Sequence, residues 1–305
     1  MRCADQRRGP RATLRAVIAR SEAPSTLRSS SVRPGWLELI RIGIRDVLSR
    51  RRLIAYLVRA DLKKKGADTV LGNIWWIIDP LLQMLVYVIL VAVILKTSIT
   101  DYPLFVFCAI LPWKWFSSTV SDGVTSVSMH DKLIKQINFP KLVLPFAAVI
   151  AGIVNFAFGM IPLLGLTVLF YSDRLSPWIL LVPLVAIPQL VFSLAVATIL
   201  AGCNVFYRDI GNLARHLLRF WFYLSPALYG SDKIAELSQK PHEWVGTLFA
   251  LNPWTWLFNG YRDVIYNDRA PDLLALGAVT GVSLVLLGLA ILFFKRVEPT
   301  FAKVL

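Results

Sequence analysis

Two ionisable residues, Asp79 and Lys114, lie inside long apolar stretches of this 305-residue chain. A charged side chain in lipid costs at least ~2.5 kcal/mol, so such residues usually face protein or water and mark the path of a polar molecule. Another explanation stays open for each. Asp79 is close enough to the end of its stretch to reach the membrane surface, and Lys114 can extend outward past Trp113 and Trp115. These four residues are candidates for a substrate path.

A basic helical face is the second candidate. Arg215, His216 and Arg219 are spaced three and four residues apart, which places them on one side of a helix. Such a face either anchors a helix at the cytoplasmic surface or forms a basic entrance for an anionic headgroup. Trp221 and Tyr223 follow directly. Their rings belong to an interfacial aromatic belt or line a path along which sugars slide.

Motifs for catalysis and nucleotide binding are missing from the sequence. There is no G-x-x-x-x-G-K-[ST] phosphate loop, no G-x-S-x-G and no H-E-x-x-H. The three cysteines, Cys3, Cys108 and Cys203, are too scattered for a disulfide framework or a CxxC site, and the three histidines are isolated. We therefore expect no catalytic residues, no metal site and no cofactor bound by this chain.

Six long apolar segments must position these residues. In chain order they are Ile74–Leu95, Leu104–Val127, Leu142–Tyr171, Trp178–Phe206, Leu213–Tyr229 and Leu273–Phe294. A bilayer core about 30 Å thick takes roughly 20 apolar residues of helix to cross. Because the backbone in lipid must satisfy its own hydrogen bonds, each segment is predicted to be a transmembrane helix.

The distribution of charge predicts the topology. The chain carries a net charge of +14. With a cytoplasmic N-terminus, 26 Lys and Arg lie on the cytoplasmic side and 6 on the other. This bias predicts a multi-pass protein with both termini in the cytoplasm, in the plasma membrane. It also explains the basic composition without nucleic-acid binding, which we do not expect.

Two N-terminal regions precede the first span. Residues 1–35 are rich in Arg and Ser, which predicts a basic disordered tail; an organellar transit peptide or a start codon assigned too early are open alternatives. From Trp36 to Leu62, apolar residues recur at helical spacing among arginines. This pattern predicts a basic amphipathic helix that lies in the membrane interface or packs on a partner.

Two further segments are predicted to dock or to insert. In the cytoplasmic loop Ser128–Pro140, Leu133, Ile134 and Ile137 form a small apolar face, which indicates a docking element or a face that rests on lipid. Outside, Trp244–Phe258 is apolar but too short to span, and Asn252-Pro253 interrupts it. It predicts two short interfacial or re-entrant helices. The residues assigned to them are Trp244, Asn252, Pro253, Trp254 and Trp256.

The order of several short motifs resembles a known family over about Trp36–Leu305. The motifs are Leu71-Gly72-Asn73-Ile74-Trp75-Trp76 with Asp79-Pro80, Leu111-Pro112-Trp113, Leu133-Ile134-Lys135 with Asn138-Phe139-Pro140 and Leu144-Pro145, Asn204-Val205-Phe206-Tyr207-Arg208-Asp209-Ile210, Leu224-Ser225-Pro226-Ala227-Leu228-Tyr229, Leu251-Asn252-Pro253, and Val297-Glu298-Pro299 with Phe301-Ala302. This order is similar to the permease subunits of ABC-2 type exporters of polysaccharides and lipid-linked glycans. No single motif is specific, whereas their order over six spans is.

The resemblance implies a homodimer in which each half docks a separate cytoplasmic ATPase, which binds ATP and Mg²⁺. It implies a coupling helix near Met129–Asn138, with ATPase-coupling residues Met129, Leu133, Ile134, Lys135 and Ile137. The N-terminal amphipathic helix would grip the same ATPase, and an external half-inserted helix pair would precede the last span. Lys114 and the long N-terminal tail depart from the usual pattern.

The sequence therefore predicts an all-α integral membrane protein with six transmembrane helices, an interface helix and a re-entrant pair, organised as a tail (1–35) and one membrane domain (36–305). The predicted function is the permease subunit of an ATP-driven exporter that moves a polyprenyl-diphosphate-linked cell-surface polysaccharide. The alternatives are the same fold exporting a drug or small lipid, and a membrane-embedded glycosyl- or acyltransferase, for which no acid/base pair is evident.

Overall fold

The computed structural model describes residues 35–66, 71–94, 96, 99–230, 233, 236, 238 and 243–304. The chain divides into two units, residues 1–38 and 39–305. The predicted tail, apart from Gly35, lies outside the described residues. So do Leu95, at the end of the first predicted span, and most of the polar external stretch 231–242.

The described residues form helices joined by turns, with no strand among them. Five helical stretches are long and apolar enough to cross a membrane: Trp75–Ile94, Tyr102–Ser126, Val143–Phe170, Pro177–Phe206 and Leu273–Thr300. The prediction of an all-α integral membrane architecture is confirmed at this level. Helices are numbered below in chain order.

The spans contain five named helices. They are α3 (Trp75–Tyr87, continued by a π-helical stretch, Val88–Ile94), α4 (Tyr102–Ser126), α6 (Val143–Phe170), α7 (Val182–Phe206, after a 3₁₀ stretch, Pro177–Leu181) and α11 (Leu273–Val297). Between α4 and α6 lies the short helix α5 (Asp131–Gln136), and a last turn, α12 (Phe301–Val304), follows α11. Asp272 starts α11 because its side chain accepts hydrogen bonds from the amides of Leu274 and Ala275.

The fifth predicted span, Leu213–Tyr229, contains only a 15-residue helix, α8 (Ile210–Leu224). It ends at Ser225, where the backbone turns extended directly before Pro226. At 1.5 Å per residue such a helix is roughly 22 Å long, which is shorter than the ~30 Å apolar core. Helix length alone therefore gives five crossings within the described residues.

The N-terminal amphipathic region is divided into two helices, α1 (Trp36–Ser49) and α2 (Arg51–Gly66), rather than one. In α1, Gly43 is buried against α11 so closely that a Cβ at this position would lie 2.4 Å from the Ile291 Cγ2. In α2, Ile54 is buried against Val143 and Ala147 of α6. Both helices thus pack on the membrane domain, α1 at Gly43 and α2 at Ile54, while Ile44 and Leu48 of α1 remain exposed.

The core surrounds α4, of whose apolar stretch 78% is buried, and joins it to α6, α7, α8 and α10 (Pro253–Ile265); a short helix, α9 (Glu243–Leu251), precedes α10. One polar link runs through it. The side-chain amide of Gln189 donates to the Pro112 carbonyl at 2.9 Å and accepts from the Tyr261 hydroxyl at 2.8 Å. This fixes α7 and α10 against α4. Helix α3 is the opposite case, with 6% of its stretch buried.

Candidate functional site

The segments predicted to be cytoplasmic meet at one end of the domain. A single apolar cluster joins the ends of α4, α7 and α11 to α1, α2 and the short helix α5. Its buried members are Val127, Ile134, Phe139, Leu142, Leu144, Ala201, Val205, Ile291, Phe294 and Phe301. Val47, Leu53, Leu57 and Leu133 pack against them. We call this end of the domain the basic end, because the Lys and Arg that predict a cytoplasmic location lie in the segments that meet here.

An ion network fastens the same end. The Lys295 ammonium lies 2.5 Å from an Asp46 carboxylate oxygen and 2.8 Å from the Glu298 Oε2. The other oxygen of Glu298 accepts a hydrogen bond from the Lys141 amide at 2.6 Å. Only 9% of the Lys295 side chain is exposed. The network therefore connects α1, the segment after α5 and the end of α11.

A short helix, α5, lies where the coupling helix is predicted, and the residues assigned to coupling face two ways. Ile134 is buried and Leu133 packs beside it. Met129 and Ile137 are exposed by 69% and 54%, and Lys135 is also exposed. Leu133, Ile134 and Ile137 do not share one face, because α5 ends at Gln136 and Ile137 is extended. The exposed apolar surface beside α5 comes from Met129 and Ile137.

Asp79 and Lys114, the two ionisable residues within the spans, form an ion pair between α3 and α4. They line a cleft of about 260 Å³ between α2, α3, α4 and α6. A second ion pair, Lys65 with Asp122 at 2.7 Å, lines the same cleft. The Lys114 ammonium is therefore paired with Asp79. It neither extends outward past the tryptophans by itself nor projects unpaired into a substrate path.

Lys65 has a further partner in Asp61, which lies one helical turn before it at 3.0 Å. Burial by itself lowers the pKa of Lys65, but the carboxylates of Asp122 and Asp61 outweigh it and hold the pKa above its ordinary value of 10.5. The ammonium group is therefore charged throughout the physiological range. The end of α2 is therefore tied electrostatically to the C-terminal part of α4.

The tryptophan candidates separate into core and cleft. Trp113 and Trp254 are buried and meet edge-on at 4.8 Å between ring centroids, with Trp221 against Trp113 at 6.2 Å. These rings hold α4, α8 and α10 together. Trp115 stacks on Phe156 at 4.6 Å and forms an apolar wall of the cleft.

Helix α8 presents a continuous exposed row. Arg215, Arg219 and Tyr223 occur at intervals of four, and all three are exposed, whereas Ala214 and Leu218 are turned into the core. The row leads from the basic end to the middle of the domain. There the Tyr223 hydroxyl lies 3.5 Å from that of Tyr87 on α3. The basic face that the sequence predicts is therefore exposed on the surface of the chain.

Helices α9 and α10 meet at Asn252, next to Pro253. The Asn252 side chain accepts from the Trp254 amide and from the Trp221 indole, both at 3.1 Å, and donates to Ser225 at 2.8 Å. It therefore caps α10 and also binds the end of α8. Trp244 and Trp256 lie on the same helices and are exposed.

Arg262 was not identified from the sequence as a site residue. It is 3% exposed, and its guanidinium donates to the carbonyls of Pro226 and Ala227 at 2.7 and 2.6 Å. The group also lies 3.8 Å from the centre of the Phe105 ring. The one sign of this role in the sequence is that an arginine interrupts the apolar residues of Trp254–Ile265. It joins α10, α4 and the turn after α8.

Metal binding has no basis in the described part of the chain, where no three His, Cys, Asp or Glu side chains come together as a site. The two described cysteines, Cys108 and Cys203, are free thiols. The arrangement offers exposed apolar side chains beside α5 at the basic end, an exposed basic and aromatic row on α8, and a charged cleft.

Known proteins resemble this chain over most of its length. Residues 52–266 match the family described as ABC-2 type transporter. The O-antigen export system permease protein RfbA of Myxococcus xanthus is 34% identical over 265 residues, which cover 87% of this chain and 99% of that protein. The permease of the same name from Klebsiella pneumoniae is 28% identical over 255 residues, 83% of this chain and 95% of its own length.

Proposed function

The chain belongs to the ABC-2 type transporter family, and we propose that it is the membrane permease subunit of an ATP-driven exporter of a lipid-linked cell-surface polysaccharide. The observation that carries this proposal is its similarity, along nearly their whole length, to proteins named O-antigen export permeases. Such a subunit is a transport component rather than an enzyme. Neither the drug-exporter nor the transferase alternative has comparable support.

The basic end is the proposed docking site for a separate ATPase that binds ATP and Mg²⁺. Support comes from α5, which is seated on the domain by Ile134 while Met129 and Ile137 remain exposed. The Glu298–Lys141 contact joins the segment after α5 to α11. A movement of the ATPase against α5 would therefore reach both α1 and the last span as a rigid-body displacement.

The proposed membrane topology has six crossings and both termini in the cytoplasm. Five helices of full length would leave the termini on opposite sides, against the distribution of Lys and Arg. The turn Ser225–Gly230 would complete the crossing begun by α8. Helices α9 and α10 have 9 and 13 residues, too few to span, and are proposed to be half-inserted from outside.

A second copy of the chain is the proposed partner of α3 and α8. Helix α3 buries little within one chain, and its exposed apolar residues include Leu85, Val86 and Ile89. Helix α8 exposes Leu217 and Phe220 on the adjoining side. Two copies that meet along these helices would enclose a path between them.

That path would be lined by Arg215, Arg219 and Tyr223. Cations at its basic end suit a diphosphate group, and aromatic rings suit the apolar faces of sugars. Asp79, Lys114 and Trp115 line the cleft on the other side of α3, and Trp113, Trp221 and Trp254 lie in the core. Only the α8 row therefore remains a candidate path surface in this proposal.

Deletion of the gene in its native bacterium tests the function. The expected result is loss of one polysaccharide from the cell surface, with the completed lipid-linked glycan retained inside and exported again on complementation. Absence of that glycan inside the cell would indicate a transferase. An unchanged surface would contradict polysaccharide export. Gentle solubilisation of the complemented strain is expected to co-purify a P-loop ATPase in stoichiometric amount.

Substitutions directly before and after α5 test the docking surface. Met129→Asp and Ile137→Asp each place a carboxylate on an exposed apolar position, so the permease should fold normally and lose co-purifying ATPase by about tenfold or more, as expected for buried contact residues of an interface. Lys132→Ser, also exposed on α5, is the matched control and should retain the ATPase. Normal ATPase recovery with both aspartate variants would contradict the assignment.

A further inference from the structure

The charged cleft between α2, α3, α4 and α6 has a balanced set of charges. Lys65 and Lys114 supply two cations, and Asp79 and Asp122 supply two anions, in two ion pairs. Asp61 does not line this cleft, but it adds a negative charge next to Lys65. Charges of both signs at the edge of a membrane domain are costly unless something polar meets them.

The carboxylates are accessible from the cleft. The Asp79 side chain is 61% exposed and that of Asp122 40%, whereas the two lysines are 29% and 26% exposed. Each lysine can donate three hydrogen bonds and each carboxylate can accept several, so the ion pairs leave capacity on both sides. A ligand with one anionic and one cationic group matches this pattern.

The cleft lining is neutral, and Asp61 beside Lys65 gives the surroundings one net negative charge, which selects against a purely anionic ligand. An added anion would lie uncompensated beside carboxylates that repel it. A zwitterion adds one charge of each sign, so its phosphate can contact Lys114 and Lys65 while its cation contacts Asp79 and Asp122. The volume of about 260 Å³ is below that of pockets for drug-sized ligands and suits a headgroup.

Asn155 distinguishes between kinds of cation. Its amide lines the cleft, and the carbonyl oxygen is buried without a hydrogen-bond partner in the described chain. A rotation about the soft terminal torsion would turn this acceptor toward the cleft. A primary ammonium can donate to it and a quaternary ammonium cannot. The aromatic wall of Trp115 and Phe156 suits the alkyl part of either.

The surface beside the cleft suits acyl chains. Trp76 at its rim meets Phe158 of α6, with 5.3 Å between the ring centroids. Beyond it α6 exposes Phe158, Ile161 and Leu164, and α3 exposes Leu82. Two hydrocarbon chains can lie along these helices while the headgroup occupies the cleft.

We propose that this cleft binds the headgroup of a zwitterionic phospholipid that carries a primary ammonium, phosphoethanolamine being the chemical type. The lipid is a structural ligand, distinct from the transported glycan. The site stands on this chain's own residues and does not depend on which substrate is exported.

Native mass spectrometry of the purified full chain tests the site. The delipidated protein is mixed with phosphatidylethanolamine, phosphatidylcholine or phosphatidylglycerol of identical acyl chains. Phosphatidylethanolamine is expected to remain bound, with the other two retained about tenfold less, since a charge-assisted hydrogen bond or an unpaired charge changes affinity by that order. Glycerophosphoethanolamine, which lacks acyl chains, should displace the lipid poorly.

Variants locate the binding. Lys114→Met should reduce retention of phosphatidylethanolamine about tenfold. Ser118→Phe should do the same by filling the cleft while every charge remains, which keeps the test decisive if Lys114→Met folds badly. Arg174→Met removes an ion pair of similar exposure, with Asp101, at the other end of α4. This control should bind normally.

Three outcomes would overturn the proposal. Equal retention by Ser118→Phe and the unaltered chain would place the lipid elsewhere. Equal binding of phosphatidylcholine would remove the role of the ammonium donors. Preference for phosphatidylglycerol would make the cleft an anion site, as the phosphate of a lipid-linked substrate would require.

Discussion

At the scale of single residues, the charged side chains inside the domain differ in what they support. Asp79 and Lys114 were recognised from the sequence because each interrupts an apolar stretch. Their pairing was not predictable, since they are 35 positions apart on different helices and the register between two spans does not follow from hydropathy. Arg262 was overlooked because it counted only as one external positive charge. Its burial depends on tertiary packing.

Arg262→Met is expected to destabilise the protein by about 3 kcal/mol, because the carbonyls of Pro226 and Ala227 lose their buried donors. Unfolding by titration with sodium dodecyl sulfate from mild detergent measures the change. Lys233→Met is the control. Both side chains of its pair with Glu236 are exposed, by 64% and 65%, so the change in stability should be negligible. Equal effects would show that the two carbonyls do not depend on Arg262.

At the scale of helices, short elements were harder to predict than long ones. The apolar lengths identified five spans, and the break at Asn252-Pro253 fell where α9 meets α10. The face assigned to Leu133, Ile134 and Ile137 assumed a helix through position 137. The helix stops one residue earlier, so the last side chain turns away. In the same way, the spacing of apolar residues did not predict the break at Arg50. Two consecutive helices can keep the same helical spacing, so the spacing alone does not show whether the helix is continuous.

Close packing of α4 on α6 makes a prediction for one glycine. A Cβ on Gly152 would lie 2.1 Å from the Thr119 Oγ1 and 3.1 Å from the Trp115 indole nitrogen. Gly152→Ala should therefore cost roughly 1–3 kcal/mol of stability, measured by the same titration.

Gly165 provides the control for that substitution because it lies on the same helix and a Cβ added there would have no other atom within 4 Å. Gly165→Ala should be neutral or stabilise by up to ~1 kcal/mol through helix propensity. If the two alanine variants are equally stable, α4 and α6 are not as close as described.

At the scale of the molecule, charge was the most informative part of the sequence. Segments assigned to the cytoplasm from Lys and Arg alone, including α1, α2, α5 and the end of α11, meet in one cluster. Asp101, Arg174 and Tyr266 meet at the other end. The pattern could not predict which helices stay exposed. That depends on which faces find partners within one chain, as α4 does and α3 does not.

Cysteine labelling tests the topology. In a background with the native cysteines replaced, Asp173→Cys should react with an impermeant thiol reagent in whole cells, because it is exposed in the connection between α6 and α7. Gln136→Cys, exposed at the end of α5, should react only after permeabilisation. The opposite result would invert the orientation of the whole domain.

The Lys295–Glu298 network has a consequence for biosynthesis. Asp46 pairs with Lys295, and the Lys141 amide donates to Glu298. Asp46 and Lys141 leave the ribosome long before Lys295 and Glu298 do. During translation α1 and the segment after α5 therefore lack these contacts, and Phe301 arrives last of the buried cluster. The basic end is completed only after Lys295, Glu298 and Phe301 have been synthesised. A chain that terminates before Lys295 would contain most of the apolar helices yet lack the contacts that close this end of the domain.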